Sequence, residues 1–467
     1  MILDAINKIN YFTSPRWWDY QLGSSYSSRF ADLWASSNET MSPKSFEKMR
    51  LPRLKHLISH AYQQVPLYYD LYQSVNILPE YIYSEDDLKN LPLVTKRSFK
   101  SYAENSGDIA KNINRSRGIM GTTSGSTGEP FRFFTDKAFS IEKRALRNRF
   151  WRWAGAKVNA PKICCAPESA RNYYPNMLFL HPHYIKAKKN EYIDAIRKSE
   201  ARTIFGSPLM TFDLLWVLSK EKNLPRFETA ILGGHTVSPG IRQFLEEKFQ
   251  CQVFEFYATG ELGIIAYECE KHQGMHIQEE NTVVEIISDR GDSLSSGKAG
   301  RIILTKLSNE LMPFIRYDIG DRGIILSDPC SCGRTSRRLL IEGRENEHLL
   351  VSADGETISP AVLRDVLDSY FVHFQRYQFV QNKFDAVTLF IVPSKEFPET
   401  VQQEIIKKIK NVIPAPMKIN IKCVPTIQPL PSGKFQYFVS NLWQQKFPET
   451  LLRTLSLEER IKKLIPE

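Results

Sequence analysis

A loop rich in glycine and hydroxyl side chains carries the clearest chemical signal in the sequence. Residues 121–130 read GTTSGSTGEP, so that five hydroxyls and three glycines fall within eight residues. Glycine lets the backbone approach an anion closely, while hydroxyls and backbone N–H groups supply hydrogen-bond donors. A flexible linker is disfavoured, because the apolar run that follows at 131–134 (FRFF) is typical of a core strand. The loop therefore predicts a polyphosphate-binding site.

This loop is not a Walker A motif, because the pattern G-x-x-x-x-G-K-[ST] does not occur in the sequence. Two segments come close to the pattern and fail it. In residues 291–299, five residues instead of four separate the two glycines, and no Ser or Thr follows Lys298. Residues 431–434 (PSGK) lack the upstream glycine.

Three cysteines and a histidine form a candidate set of metal ligands. Cys269, Cys330 and Cys332 would supply thiolates and His276 an imidazole, a combination that suits a closed tetrahedral zinc site. His272 is an alternative source of the imidazole, and reduced cysteines without a metal are the other interpretation. The remaining cysteines lie in apolar surroundings that predict core positions: Cys164, Cys165, Cys251 and Cys423.

Five further motifs follow the glycine-rich loop in order along the chain. They are GG at 233–234, FYATGELG at 256–263, RYDIGD at 316–321, EGRENEH at 342–348 and LPSGK at 430–434. Taken singly, each has a plainer explanation. A glycine pair suits a strand-to-helix turn, the RYDIGD segment alone favours a surface loop, and a lone lysine such as Lys434 is usually solvated.

Together and in this order, the motifs resemble those of the adenylate-forming superfamily, which includes acyl- and aryl-CoA ligases, peptide-synthetase adenylation domains and luciferases. The resemblance covers almost the whole chain and implies ATP and Mg²⁺ as cofactors. It implies catalytic roles for Thr123, Lys434 and Glu261, whose carboxylate is a hard ligand for Mg²⁺. It also implies contacts to ATP or AMP by Ser124, Gly125, Ser126, Thr127, Gly128, Gly233, Gly234, Tyr257, Ala258, Thr259, Asp321 and Arg344.

The chain departs from the superfamily pattern at three positions. Ala258 replaces the usual glycine, Gly260 replaces a Ser or Thr whose hydroxyl would contact phosphate, and Glu347 replaces the hinge aspartate. The closest resemblance is to the phenylacetate–CoA ligase and capsular-polysaccharide-biosynthesis (CapK-like) branch, through residues 53–68, 268–276 and 330–334. Members on the polysaccharide side also vary the motif around Gly260. The branch resemblance favours zinc on the four candidate ligands.

The resemblance places the pocket for the carboxylic acid between two short segments. One is the FGSP segment at 205–208, and the other is the GHT segment at 234–236, which begins with the second glycine of the pair. The candidate pocket residues are Phe205, Gly206, Ser207, Pro208, His235 and Thr236. His235 either contacts the substrate or caps the next helix.

The elements that must position these residues indicate an α/β fold with two domains. Residues 1–117 are predicted to form a mostly helical lead-in, after which short apolar runs alternate with helices, a pattern typical of mixed and parallel sheets. We expect a large N-terminal adenylate-forming domain at 1–345. A small, mobile α+β lid domain is expected at 346–467.

Particular elements follow from local patterns. Apolar residues at helical spacing predict a helix that ends before Pro66, and residues 229–232 predict a buried strand followed by a helix from Pro239 to Phe249. The other predicted elements are a strand at 251–257, a hairpin of 283–287 with 301–305, strands at 375–381, 386–392 and 418–424, and a helix at 398–412.

The composition is that of an ordinary globular protein, and the net charge alone does not identify a binding partner. The chain has 467 residues, with 62 Lys and Arg against 52 Asp and Glu, a net charge of +10. The basic residues are scattered, and the clusters at 186–189 and 407–410 suit solvated helix faces. We therefore expect no nucleic-acid partner. No run of 18 apolar residues and no secretory leader is evident, so a cytoplasmic protein without an integral membrane segment is expected.

The sequence as a whole predicts an AMP-forming ligase. A carboxylic acid would be activated by ATP as an acyl-adenylate with release of pyrophosphate, and the acyl group would pass to coenzyme A. Two alternatives stay open: transfer to an amine in surface-polysaccharide biosynthesis, and a degenerate nucleotide-binding protein without catalysis. The identity of the acid and the oligomeric state, with a homodimer among the options, are not fixed by the sequence.

Overall fold

The computed structural model describes most of the chain and shows two compact units. The described residues are 35, 39–106, 118–123, 131–166, 177–180, 188–219, 221, 226–234, 236–237, 239–344, 350–351, 356–358, 363, 366–367, 370, 373–394, 397–413, 417–428, 437–440, 442 and 453–454. The first unit comprises Met1–Ala160 and Phe254–Ile341, and the second comprises Pro161–Val253 and Glu342–Glu467. The division into a domain at 1–345 and a lid at 346–467 stays a prediction.

The helices and strands of the described residues are numbered here in chain order. The helices are α1 (Pro43–Gln64), α2 (Pro66–Ser74), α3 (Lys96–Ser106), α4 (Lys137–Trp153), α5 (Lys189–Ser199), α6 (Pro208–Leu218), α7 (Pro239–Phe249) and α8 (Glu399–Val412). The strands are β1 (Val94–Thr95), β2 (Ile119–Thr123), β3 (Phe131–Thr135), β4 (Lys162–Cys165), β5 (Leu178–Phe179), β6 (Thr203–Gly206), β7 (Thr229–Gly233), β8 (Gln252–Thr259), β9 (Gly263–Glu268), β10 (Met275–Ile277), β11 (Thr282–Ile287), β12 (Gly300–Lys306), β13 (Tyr317–Ile325), β14 (Arg338–Arg344), β15 (Leu350–Val351), β16 (Glu356–Ile358), β17 (Phe374–Lys383), β18 (Ala386–Pro393), β19 (Lys418–Cys423), β20 (Phe438–Ser440) and β21 (Arg453–Thr454).

Helix α1 begins and ends where its sequence favours it. The side chain of Ser42 accepts a hydrogen bond from the N–H of Ser45 at 3.2 Å, and Pro43 stands in the first turn, where a missing N–H costs nothing. The predicted stop before Pro66 is confirmed, and Pro66 begins α2. One face of α1 enters the core of the first unit through Leu54, Leu57, Ile58 and Ala61, all buried.

The sheet of the first unit is built mainly from antiparallel strands. Its order is β11-β12-β13-β14-β10-β9-β8, and the short β1 pairs with β13 in parallel. The predicted hairpin of 283–287 with 301–305 is confirmed by the antiparallel pairing of β11 and β12. Strands β2 and β3 form a separate two-stranded sheet. The α/β class is therefore confirmed, with the antiparallel strands concentrated in this unit.

Buried ion pairs join α1 and α4 of the first unit to the segment that precedes β11. Arg53 lies 3.0 Å from Glu142, and Arg149 lies 2.5 Å from Glu280. Lys306 is buried beside Glu142 and Glu280, and its burial lowers the pKa of its ammonium to about 7. Removal of one partner would leave a buried charge without its counter-ion, which is a strongly destabilising change.

The second unit contains parallel strands and the small C-terminal sheet. Strands β7, β6, β4 and β5 lie in that order, with the pairs β7–β6, β6–β4 and β4–β5 all parallel. The predicted buried strand at 229–232 and the helix Pro239–Phe249 are confirmed. In the C-terminal part, strands β19-β18-β17-β20 form a sheet, and α8 carries the solvated Lys407, Lys408 and Lys410 expected of it.

The cysteine predictions were correct for three residues and wrong for one. Cys164, Cys165 and Cys251 are buried, as expected from their apolar surroundings. Cys423 is exposed. It ends β19, an edge strand with little burial along its length, so the apolar neighbours in sequence do not reach a core there. Within the described residues, no helix is long and apolar enough to cross a membrane.

Candidate active site

The two ends of the glycine-rich loop are fixed by strand pairing. Thr123 is the last residue of β2 and pairs with Phe131, the first residue of β3. Phe131 and Phe133 are buried, which confirms the predicted core strand after the loop. The loop residues Ser124, Gly125, Ser126, Thr127 and Gly128 lie outside the described residues, so their role stays a prediction.

Glu261, the candidate Mg²⁺ ligand, lies buried in the tight turn between β8 and β9. Thr259 pairs with Gly263 across this turn, and the side chain of Thr259 accepts a hydrogen bond from the N–H of Leu262 at 3.1 Å. Glu261 is 1% exposed. The hydroxyl of Tyr317 donates to its Oε1 at 2.9 Å. A buried carboxylate is costly unless it is paired, and the Tyr317 hydroxyl supplies such a partner.

The departures at Ala258 and Gly260 fall on either side of Thr259. Gly260 is exposed at the tip of the turn and Ala258 is half-buried in β8, where the pairing with β9 is irregular. Thr259 supplies a hydroxyl one position before Gly260, and this hydroxyl stabilises the turn that carries Glu261. The position of Glu261 therefore does not depend on a hydroxyl at 260.

Asp321, the candidate ribose ligand, lies in strand β13 and is paired with Tyr257. The tyrosine hydroxyl donates to Oδ2 of Asp321 at 2.6 Å, and both residues are buried. The surface loop that the RYDIGD segment alone favoured is therefore wrong. The segment is a strand because Tyr317 and Asp318 pair with both β1 and β12. Positive φ angles occur within it at Arg316 (+47°) and Gly320 (+76°).

Tyr317 and Asp321 belong to the same strand and occupy positions four residues apart. The pairing of β13 with β12 is irregular between them, since Asp318 pairs with Ile303 and Arg322 with Arg301. Each contacts a residue of the β8 region: Tyr317 contacts Glu261, and Asp321 contacts Tyr257. Two carboxylates with separate tyrosine partners are thus held where β13 meets the β8 region.

The four candidate zinc ligands come together. The ligand atoms of Cys269, His276, Cys330 and Cys332 all lie within 4.8 Å of one another. The sulfur atoms of Cys269 and Cys330 are 3.7 Å apart, and the sulfur of Cys332 is 3.4 Å from Nε2 of His276. A tetrahedral site with zinc–sulfur bonds of about 2.3 Å has sulfur–sulfur edges of about 3.8 Å, so the donor set fits this metal.

The surroundings of the cluster favour metal binding by His276 rather than His272. Nδ1 of His276 lies 3.1 Å from the backbone oxygen of Ser336, which orients the ring with Nε2 towards the thiols. Burial lowers the pKa of His276 to about 4, so the imidazole is neutral at physiological pH. His272 instead contacts the carboxylate of Glu268 at 3.1 Å and is not in the cluster.

In the second unit, neighbouring parallel strands bring two candidate pocket segments together. Gly206 ends β6 and pairs with Leu232 of β7, next to Gly233. A side chain at Gly206 is excluded, because its φ is +146° and a Cβ there would lie 2.1 Å from the backbone oxygen of Cys165. Carboxyl ends of parallel strands are a common place for ligands. Phe205 and Pro208 are buried, and Ser207 and Thr236 are half-buried.

Besides the loop residues 124–128, the side chains of four predicted site residues cannot be placed: Thr123, His235, Arg344 and Lys434. His235 and Lys434 lie outside the described residues. Arg344 is the last residue of β14, and only its backbone is described. Their roles stay predictions.

Two residues beside Glu261 were missed by sequence reasoning. Tyr317 belongs to the RYDIGD segment, but the motif assigns a role only to the final aspartate of that segment, Asp321. Lys96 lies 3.5 Å from Oε1 of Glu261 and belongs to none of the motifs. A signal was present for Lys96: it is a cation at the start of a helix, where cations are unfavourable.

The chain is similar to known ligases in sequence and in fold. The CapK C-terminal domain model matches residues 350–441. The phenylacetate-coenzyme A ligase of Thermus thermophilus is 24% identical over 397 residues, which cover 79% of this chain and 86% of that protein. The corresponding enzyme of Escherichia coli is 23% identical over 380 residues, covering 74% and 81%.

A solved structure extends the likeness to the fold. The crystal structure of 2-hydroxyisobutyryl-CoA ligase in the postadenylation state, in complex with R3-HIB-AMP, matches with a TM-score of 0.75. The match covers 87% of this chain and 92% of that one at 19% identity. The fold of the chain is therefore that of this CoA ligase. In sequence the chain is similar to the phenylacetate-coenzyme A ligases and, at residues 350–441, to the CapK C-terminal domain.

Proposed function

We propose that the protein activates a carboxylic acid with ATP as an acyl-adenylate and then transfers the acyl group to coenzyme A. The arrangement around β13 supports this proposal most directly. Glu261 and Asp321 are buried carboxylates where β13 meets the β8 region, and each accepts a hydrogen bond from a tyrosine hydroxyl. One suits Mg²⁺ beside the phosphates, and the other suits the two ribose hydroxyls. The named relatives are phenylacetate–CoA ligases, which supports coenzyme A as the acceptor.

In the first half-reaction, a carboxylate oxygen of the acid attacks the α-phosphorus of ATP. A new phosphorus–oxygen bond forms, the bond to the β-phosphate oxygen breaks, and pyrophosphate leaves. Glu261 would hold Mg²⁺, which supplies positive charge beside the phosphate oxygens. Tyr317 keeps the Glu261 carboxylate oriented, and Tyr257 does the same for Asp321. Most of the rate enhancement in such reactions comes from positioning and charge stabilisation.

In the second half-reaction, the thiol sulfur attacks the acyl carbon of the adenylate. A thioester bond forms, the bond between the acyl carbon and the phosphate oxygen breaks, and AMP leaves with that oxygen. Gly206 and Gly233, at adjacent strand ends, would border the acid. Glycine is required at position 206, because a Cβ there would meet the backbone oxygen of Cys165.

A screen for pyrophosphate release tests the function. Purified protein with MgATP should release pyrophosphate only when its carboxylic acid is present, in a panel that includes arylacetic and short hydroxy acids. Addition of coenzyme A should convert a slow, single-turnover release into a continuous one and produce the thioester. Absence of acid-dependent release across the panel, from protein shown to bind ATP, would favour a nucleotide-binding protein without catalysis.

Transfer to an amine is the second candidate function. It is favoured by the match of residues 350–441 to the CapK C-terminal domain, because the branch resemblance connects this domain with surface polysaccharides. In the same screen, amino sugars or amino acids in place of coenzyme A would then sustain turnover. Continuous turnover with coenzyme A alone would contradict this alternative.

We further propose that Cys269, His276, Cys330 and Cys332 bind one structural Zn²⁺. The closeness of the four ligand atoms supports this, and so do backbone N–H groups that approach the sulfur atoms of Cys269 and Cys332 at 3.5 and 3.4 Å. The site would join the loop after β9 to the loop before β14.

The zinc site predicts a large effect of one substitution on metal content and stability. Cys332→Ser should reduce the bound zinc from about one equivalent to a small fraction, and the melting temperature should fall by several degrees, since metal binding contributes directly to folding free energy. Cys423→Ser is the matched control, because Cys423 is exposed and outside the cluster. Metal analysis by mass spectrometry and thermal unfolding check both. Wild-type protein without zinc after purification in zinc-supplemented medium would refute the proposal.

A further inference from the structure

A lysine outside the sequence motifs contacts Glu261 and Phe131, the residue that follows the glycine-rich loop in the chain. Nζ of Lys96 is 3.5 Å from Oε1 of Glu261, the candidate Mg²⁺ ligand. The same ammonium lies over the ring of Phe131, 6.0 Å from its centre. Phe131 is the first residue after the glycine-rich loop segment 124–130 and pairs with Thr123 on the other side of that loop. Lys96 therefore contacts both the turn that carries Glu261 and the strand residue that follows the glycine-rich loop.

The backbone around Lys96 is anchored to the strand that carries Tyr317. Val94 pairs with Tyr317, and the N–H of Val94 donates to the carbonyl of Arg316 at 3.0 Å. Helix α3 then begins with a reciprocal pair of hydrogen bonds between Thr95 and Ser98, each backbone N–H donating to the other's hydroxyl at 3.1 Å. The position of Lys96 next to Glu261 is thus set by two independent local structures.

The position of Lys96 conflicts with the electrostatics of its own helix. The N-terminus of a helix carries partial positive charge and favours acidic residues in the first turn. Helix α3 has no acidic residue there and begins with Lys96 and Arg97 instead. Local conflicts of this kind are expected at functional sites. The combined positive charge of the lysine and the helix terminus suits an anion with several negative charges.

The contact between Lys96 and Glu261 is not needed to hold the carboxylate in place. The Lys96 side chain is 37% exposed, and ion pairs with an exposed partner contribute only about 0–1 kcal/mol. Tyr317 already donates a hydrogen bond to the same carboxylate oxygen at a shorter distance. A purely structural role therefore does not account for a lysine at position 96.

We propose that Lys96 binds the β- and γ-phosphate oxygens of ATP and stabilises pyrophosphate as it leaves. This rests on the proposed adenylation activity. Glu261 and Lys96 then act on the same end of the nucleotide: the carboxylate holds Mg²⁺, and the ammonium supplies a second positive charge to phosphate oxygens. AMP lacks these phosphates, so its affinity does not depend on Lys96.

The difference between triphosphate and monophosphate binding tests the inference. Calorimetry would measure the affinity of the wild type, Lys96→Met, Lys96→Arg and Arg97→Met for α,β-methylene-ATP with Mg²⁺ and, separately, for AMP. Lys96→Met should weaken binding of the ATP analogue at least tenfold and change AMP binding less than twofold. Lys96→Arg should recover part of the loss. Arg97→Met removes the same charge from the next, exposed residue and should match the wild type.

Kinetics give a second readout that a structural role would not reproduce. For Lys96→Met, we expect the KM for ATP to rise about tenfold or more, and inhibition by added pyrophosphate to weaken in parallel. Equal weakening of AMP and analogue binding would show that Lys96 supports the fold of the site, and unchanged analogue binding would refute the phosphate role. A wild type that binds nucleotide but does not adenylate any acid would instead refute the proposed function while the binding comparison still decides the role of Lys96.

Discussion

Glu261→Gln should reduce acid-dependent pyrophosphate release by about a hundredfold or more, the usual cost of removing a preorganised electrostatic group. The amide keeps the size of the carboxylate and still accepts a hydrogen bond from Tyr317. It loses the negative charge that would bind Mg²⁺. The counter-ion Lys96 is 37% exposed and remains solvated, so the melting temperature should change little. Pyrophosphate release at saturating acid, measured as a function of Mg²⁺ concentration, checks the result.

Glu80→Gln provides the matched control for this substitution, because Glu80 is exposed in a short helical turn of the same unit. Its activity should equal that of the wild type. AMP binding by Glu261→Gln should also be retained, since Tyr257 and Asp321 are unchanged. A Glu261→Gln variant with near-normal activity at low Mg²⁺ would show that the metal ligand is another residue.

Lys434→Ala should separate the two half-reactions. Lys434 lies outside the described residues, so the prediction rests on its PSGK turn and on the resemblance to the catalytic lysine loop of the superfamily. Its ammonium would stabilise charge on the α-phosphate oxygens during adenylation, a contribution of about 3–4 kcal/mol by analogy with an oxyanion donor. Acyl-adenylate formation should therefore fall on the order of a hundredfold or more. Transfer from a synthetic acyl-adenylate to coenzyme A should stay near the wild-type rate.

The control for this experiment is Lys422→Ala, which removes an exposed lysine from the edge strand β19. Both half-reactions should be normal in that variant. Single-turnover assays with purified adenylate distinguish the steps. Equal loss in the two assays of Lys434→Ala would assign Lys434 to folding or to both reactions, and no loss in the first would exclude a catalytic role.

The sequence predicted those helices and strands correctly that depend on the periodicity of apolar residues and on capping or turn residues nearby in the chain. The helix α1 with its proline stop, the hairpin of β11 and β12, and the strand and helix that surround Gly233 all follow from periodicity and from capping or turn residues. These features depend on neighbours within a few positions in the chain. The assembly of the four cysteine and histidine ligands was foreseen through the branch resemblance, and the structure shows their atoms close together.

The sequence failed where the deciding contact comes from far along the chain. Asp321 looks like a loop residue locally, but pairing of β13 with β1 and β12 makes its segment a strand. Cys423 has apolar neighbours, but its strand lies at the edge of its sheet and is exposed. The contacts of Lys96 with Glu261 and of Tyr257 with Asp321 join separate motifs, and no spacing rule connects them.

The first unit is made from two pieces of chain, and this has a consequence for its synthesis on the ribosome. The piece Met1–Ala160 needs strands from Phe254–Ile341, because β1 pairs with β13 and Arg149 of the first piece forms an ion pair with Glu280 of the second. At about 5–20 residues per second, the roughly 180 residues between Ala160 and Ile341 take about 10–40 s to emerge. During that interval the apolar face of α1 lacks the core residues that the piece Phe254–Ile341 supplies. The nascent chain should therefore depend on chaperones in this period, and limited proteolysis of stalled chains should cleave the N-terminal piece until residue 341 has left the ribosome.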